Sequence, residues 1–189
     1  MKGRFIFVAV VAALSVTGLA FAAQSTVIRG TTGNDVLTGT PANDRVYARA
    51  GDDQVAALDG NDRVFGSWGN DSIDLGAGDD FARGGPGADN VVGGDGNDRI
   101  RGRRGSDVLD GGAGNDRIHG GRGADQLQGG DGDDVLFMLA RDRQPDSADC
   151  GAGNDKVWVN VKETQDTYVN CEIVYRVRVT RAQDIDDDN

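Results

Sequence analysis

Aspartate recurs every nine residues at Asp35, Asp44, Asp53, Asp62, Asp71, Asp80, Asp89, Asp98, Asp107, Asp116, Asp125 and Asp134. A carboxylate is a hard oxygen donor, and carboxylates stacked on one another repel unless a hard cation such as Ca2+ lies between them. Cation binding is therefore the chemistry this series can do. Catalysis has little to work with. His119 is the only histidine, so His-based triads and multi-histidine zinc sites lack partners, and neither His-Glu-x-x-His nor Gly-x-Ser-x-Gly occurs. We expect a protein that is not an enzyme.

The residues around each Asp show what must position it. With the Asp at position six, contiguous nine-residue units run from Gly30 to Phe137, with Gly at position four in every unit except at Ala42. Position eight is always apolar, as in Leu37, Val46, Ile73, Ile100 and Leu136. Glycine at positions one, two and four permits positive φ and close backbone approach, so six residues make a tight turn and the last three a short strand. By the two-residue strand period, position eight faces inward and positions seven and nine outward. Two units then form an 18-residue coil, and stacked coils form an all-β parallel β-roll. Alternate turns share an edge about 4.8 Å apart, the spacing of paired strands. The even edge carries Asp44, Asp62, Asp80, Asp98, Asp116 and Asp134, and the odd edge the other six.

Gly84-Gly-Pro-Gly-Ala-Asp89-Asn-Val-Val92, Gly93-Gly-Asp-Gly-Asn-Asp98-Arg-Ile-Arg101 and Gly111-Gly-Ala-Gly-Asn-Asp116-Arg-Ile-His119 are full matches to Gly-Gly-x-Gly-x-Asp-x-apolar-x. The block resembles the RTX, or hemolysin-type, calcium-binding nonapeptide repeat, and the resemblance spans residues 30–158. After an interruption over 138–149, Cys150 to Trp158 supplies one more unit, with Asp155 at position six. Ala48-Arg-Ala-Gly51 and Ala57-Leu-Asp-Gly60 depart from the pattern by losing the opening glycines. The resemblance implies multiple Ca2+ ions, each held by the position-six carboxylates of two neighbouring turns and by backbone carbonyls. Ordering so Gly-rich a chain costs more than its few inward aliphatics return, so calcium binding and folding are expected to be one event.

Charge and the chain start bear on the compartment. Twenty basic side chains against 31 acidic ones give a net charge of −11, which argues against nucleic acid as a partner. Residues 1–23 have a basic start at Lys2 and Arg4, an apolar run and Ala20-Phe21-Ala22. This reads as a secretory signal peptide, with a membrane anchor as the alternative. Cleavage would leave 18 basic residues and a charge of −13, with no stable membrane span. The expected location is extracellular, reached by a bacterial general secretory route. Cys150 and Cys171, the only cysteines, are then expected to pair.

The remaining expectations concern surfaces and the chain end. Position five is Asp79, Asn97, Asn115 and Asp133 on the even edge but Ala88, Ser106 and Ala124 on the odd, so the even edge should bind calcium more tightly. Outward strand positions of the even units carry Arg45, Arg63, Arg99 and Arg117, then Arg83, Arg101 and His119. Arg63, Arg99 and Arg117 make this ladder a candidate ligand face for a cell surface or an anionic polysaccharide; the other reading is a solvated face that deters sheet aggregation. Residues 159–183 read as a small β cap, with Ile173, Tyr175, Val177 and Val179 on one face. The acidic tail, 184–189, reads as a solvated run.

Overall fold

The computed structural model describes residues 24–179. The predicted signal peptide, the acidic tail and the end of the predicted cap lie outside the described residues. Those described form a parallel β-roll of about eight coils, with no helix among them.

One sheet has nine strands: β1 (Val27–Arg29), β3 (Arg45–Ala50), β5 (Arg63–Trp68), β7 (Phe81–Pro86), β9 (Arg99–Arg104), β11 (Arg117–Arg122), β13 (Val135–Met138), β15 (Lys156–Asn160) and β17 (Ile173–Val177). The other has eight: β2 (Val36–Thr38), β4 (Gln54–Ala56), β6 (Ser72–Ala77), β8 (Asn90–Asp95), β10 (Val108–Ala113), β12 (Gln126–Asp131), β14 (Ser147–Ala152) and β16 (Thr167–Val169). Each strand pairs with the strand two further along the chain, and the register through the regular block is 18 residues, as in Val46↔Val64 and Leu109↔Leu127. The expected coil is therefore the observed one.

The core is one narrow file from each sheet. Val46, Val64, Ala82, Ile100, Ile118 and Leu136 face Val55, Ile73, Val91, Leu109 and Leu127, all nearly or fully buried. The strands are longer than the three residues expected, reaching six where they run into positions one to three of the next unit. Position one consequently points inward too, which is why Leu75, Met138 and Cys150 are buried there.

The interruption is shorter than the sequence suggested. Asp146 and the strand after it form a complete coil, because Gln126 pairs with Ser147 across 21 residues in place of 18. Only three residues are extra. They are accommodated in an excursion held by Asp142 Oδ2, which accepts from the Gly123 amide at 2.5 Å, and by Asn160 Nδ2, which donates to the Ala140 carbonyl at 2.9 Å.

Residues 159–177 likewise extend the same two sheets, with β16 on β14 and β17 on β15. Here the inward side chains are Tyr168 and Val174. Of the apolar residues read as sharing one face, Ile173 and Tyr175 are exposed and Val179 is buried. Register decides this: Val174 pairs with buried Val157, and its neighbours must point the other way. A Cys150–Cys171 disulfide, Cα–Cα 5.2 Å, ties this last part to the roll.

Candidate metal centre

Every aspartate predicted from the nine-residue spacing lies in one of two buried files along the turn edges. Successive members are linked in one way throughout. Oδ1 of each accepts a hydrogen bond from the main-chain N–H of the Asp one coil earlier: on the odd edge Asp53 Oδ1 from Asp35 at 2.8 Å, Asp89 Oδ1 from Asp71 at 2.9 Å and Asp107 Oδ1 from Asp89 at 2.8 Å. On the even edge Asp98 Oδ1 accepts from Asp80, and Asp116 Oδ1 from Asp98, both at 2.8 Å.

At the first member of each file the other carboxylate oxygen accepts from a threonine, Asp35 Oδ2 from the Thr31 amide and Asp44 Oδ2 from Thr40, but further along it has no partner. Oδ2 of Asp53, Asp62, Asp71, Asp80, Asp89, Asp98, Asp107, Asp116, Asp125, Asp134 and Asp155 is buried without a hydrogen bond. A repeated orphan of this kind is costly in a protein interior and calls for a cation. Burial pushes the Asp107 carboxyl up to about 8 and those of Asp80, Asp89 and Asp116 up to about 7, with neighbouring carboxylates in the file adding to the rise.

The space beside each orphan is shaped by glycine. A Cβ built on Gly111 would stand 2.3 Å from Asp116 Oδ2 and 2.5 Å from the Gly129 carbonyl oxygen; on Gly102 it would meet Asp107 Oδ2 at 2.2 Å and the Gly120 carbonyl at 2.6 Å. Position one thus opens a cradle ringed by a carboxylate oxygen and a main-chain oxygen, the ligand type Ca2+ takes. Among the described residues no three His, Cys, Asp or Glu side chains converge on one point. Main-chain carbonyls would therefore complete any ion's shell.

A family model described as the RTX calcium-binding nonapeptide repeat matches the chain in four copies, over residues 25–55, 47–82, 83–118 and 110–137. The chain belongs to the RTX calcium-binding nonapeptide repeat family. Its β-roll is a structural calcium-binding arrangement and not a known catalytic family. No match was found among curated proteins.

This RTX roll continues its acidic files further than the nonapeptide spacing reveals. Asp146 Oδ1 accepts from the Asp125 amide at 2.9 Å, Asp166 Oδ1 from the Asp146 amide at 3.1 Å, and Glu172 Oε2 from the Asp155 amide at 2.8 Å. Asp166 Oδ2 is orphaned as well. The signal that could have found them is an acid two residues before an inward apolar one: Asp146 before Ala148, Asp166 before Tyr168 and Glu172 before Val174. Without the glycines it does not stand out.

The departures at the opening positions have a visible consequence. Position two takes positive φ in nearly every coil, and Arg49 (84°), Leu58 (81°), Ser67 (85°) and Arg103 (92°) adopt it without being glycine. Such residues carry strain on the order of 1–3 kcal/mol each. The surrounding ladder holds them to the shape of the repeat.

The outward face of the nine-stranded sheet gathers the expected arginines, with additions. Arg45, Arg63, Phe81, Arg99 and Arg117 form one file in register, and Tyr47, Phe65, Arg83, Arg101, His119, Phe137, Trp158 and Tyr175 the file beside it. Trp158 is stacked between Phe137 and Tyr175, at 6.0 and 4.3 Å between centroids. It belongs to this outer file and not to a cap core. His119 stacks on Phe137 at 4.1 Å, and burial together with Arg101 and Arg117 pushes its pKa down to about 3, so it stays neutral.

Proposed function

We propose that this chain is an extracellular calcium-binding β-roll whose folding is coupled to Ca2+, with a structural or binding role in place of catalysis. The unsatisfied, buried Oδ2 in coil after coil carries the reading. Asp35, Asp53, Asp71, Asp89, Asp107 and Asp125 would hold ions along the odd edge, and Asp44, Asp62, Asp80, Asp98, Asp116, Asp134 and Asp155 along the even edge. Without ions these files are stacked, desolvated carboxylates; with ions each repulsion becomes an attraction between coils. The small-x-small sequence at Ala20-Phe21-Ala22 and the export common to RTX proteins support an extracellular setting, where calcium is plentiful.

Circular dichroism with calcium and with chelator tests the coupling. Strand content should be high in calcium and largely lost on chelation. Equal strand content in both conditions would overturn the reading.

A second reading, that the roll also holds a cell-surface or anionic polysaccharide partner, is favoured by one observation. The two outward files of the nine-stranded sheet contain Arg29, Arg45, Arg63, Arg83, Arg99, Arg101, Arg117 and Lys156 and no acid, in a chain of net charge −11.

A further inference from the structure

The arginines of the even units border a groove of about 940 Å³ along the corner between the even turns and the nine-stranded sheet. Arg45, Arg63 and Arg99 line it from the first strand position, and Asn43, Asn61 and Asn97 from the turn position two residues earlier. Phe65, Phe81 and Arg83 lie along it on the sheet face.

The lining is periodic. Asn-Asp-Arg occurs at 43–45, 61–63, 97–99 and 115–117, always on the even edge. The roll itself does not need the arginine, because the equivalent odd positions are Val36, Gln54, Ser72, Asn90, Val108 and Gln126 and their strands pair just as regularly. The asparagines are both structural and available. Asn43 and Asn61 accept, through Oδ1, from the amides of Asn61 and Asp79 one coil later at 3.0 and 3.3 Å, while their exposed side chains keep the NH2 group as a donor. The rungs at 43–45, 61–63 and 97–99 thus each offer a guanidinium and an amide N–H, while the rung between the last two, about 4.8 Å from each by strand spacing, has Asp79 and Phe81 instead, and one N–H of Asn97 is donated to Asp79 Oδ1.

We infer that this groove binds a linear carboxylated polysaccharide lying along the roll axis. Guanidinium groups take carboxylates in paired hydrogen bonds and amide donors take hydroxyls and ring oxygens, while Phe65 and Phe81, whose faces lie against Tyr47, each other and the Arg83 and Arg101 guanidinium groups, present only ring edges to the groove. A chain lying along the axis would meet the donor sets of Arg45, Arg63 and Arg99 in turn, with Phe81 between the last two. Arginines 63 and 99, two rungs apart on either side of Phe81, form the centre of the site.

The inference rests on the calcium reading. Asp44, Asp62 and Asp80 also line the groove and would be neutralised by bound cations, whereas Asp79, whose carboxylate accepts from Asn97, keeps its charge and is outnumbered by Arg45, Arg63, Arg83 and Arg99. Binding of the glycan should therefore require calcium.

The test is calorimetric titration of the calcium-loaded protein with hexagalacturonate, with strand content followed in parallel by circular dichroism. Binding is expected, with a loss of about tenfold or more in the Arg63→Ser/Arg99→Ser variant, equivalent to at least 1.4 kcal/mol. The Arg104→Ser/Arg122→Ser variant, of equal charge but outside the groove, should bind as the parent does. Neutral cellohexaose should not bind. No binding by a protein that calcium has folded overturns the groove assignment alone, whereas unchanged strand content on calcium addition defeats the calcium reading beneath it. Equal losses in both variants, or equally tight binding of sulfated dextran, would show unselective polyanion attraction and overturn the carboxylate assignment.

Discussion

The two turn edges are built from the same aspartate file yet differ in what stands beside it. On the even edge an Asn/Asp ladder at position five is unbroken: the amides of Asn61, Asp79, Asn97, Asn115, Asp133 and Asn154 each donate to the position-five oxygen one coil earlier. On the odd edge the ladder runs through Asn34, Asp52 and Asn70 and then meets Ala88. Further on, only Ser106 Oγ accepts, at 3.3 Å from the Ala124 amide. The position-five ladders of the two edges thus differ from Asp79 onward and are alike before it. Position six and the glycines are what the roll requires, and positions five and seven are where the edges were free to specialise.

The largest effect should come from acting on both files at once. Folded-state pKa values are raised to about 6 at Asp62 and Asp134, about 7 at Asp80, Asp89 and Asp116, and about 8 at Asp107. A raised carboxyl pKa means that the metal-free fold binds more protons than the unfolded chain. Its contribution is fully present below the unfolded value near 4 and is lost as pH rises from there through about 6 to 8. In chelator, strand content should accordingly increase on acidification from pH 8 to pH 5. In calcium the sign reverses, because protons then compete with the metal.

Single carboxylates come next. Asp98→Asn and Asp107→Asn each keep an Oδ1 that accepts from the amide one coil earlier, while the orphaned Oδ2 becomes an NH2 that cannot face a cation. Removing one member of a buried charge pair costs about 3–5 kcal/mol, and calcium-dependent stability should fall on that scale in both variants. If the even edge binds more tightly, the calcium midpoint followed by circular dichroism shifts further for Asp98→Asn. A larger shift for Asp107→Asn would reverse the comparison.

Glycine at position one provides a control in which the edges should not differ. Gly111→Ala and Gly102→Ala put a methyl group against an Asp oxygen and a carbonyl oxygen at nearly the same distances. Forcing an atom into filled space costs about 1–3 kcal/mol. Equal losses of thermal stability in calcium are expected. Unequal losses would place the difference between the edges in the cradle itself and not in its surroundings.

These contrasts also mark what could be read from the chain alone. Asp35 to Asp134 could be placed because a nine-residue period with glycine at position four leaves a turn and a short strand as the only economical shape. The same period predicted the 18-residue register of Val46↔Val64. Asp146, Asp166 and Glu172 were hidden because strand pairing tolerates a shift to 21, 20 or 17 residues, as in Gln126↔Ser147, Ser147↔Thr167 and Lys156↔Ile173, whereas a fixed spacing does not. The stacked Phe137, Trp158 and Tyr175 were hidden for the same reason. They become neighbours only when rungs of unequal length are laid in register.

The smallest expected effect addresses the first place where the odd edge falls behind. The Ala88 amide donates to Asn70 Oδ1 at 2.8 Å, but Ala88 offers no acceptor to the coil after it. In Ala88→Asn the new Oδ1 would stand where Asn97 Oδ1 stands on the even edge, which accepts from the Asn115 amide at 3.0 Å. The amide it would meet belongs to Ser106. One exposed hydrogen bond contributes about 0.5–1.5 kcal/mol, so the variant should melt slightly higher in calcium and need slightly less calcium to fold. The same exchange run backwards, Asn97→Ala, should cost a similar amount on the even edge. If Asn97→Ala weakens calcium binding while Ala88→Asn does nothing, the position-five ladder is not what separates the edges. The difference would then lie at position seven, where the even edge alone carries arginine.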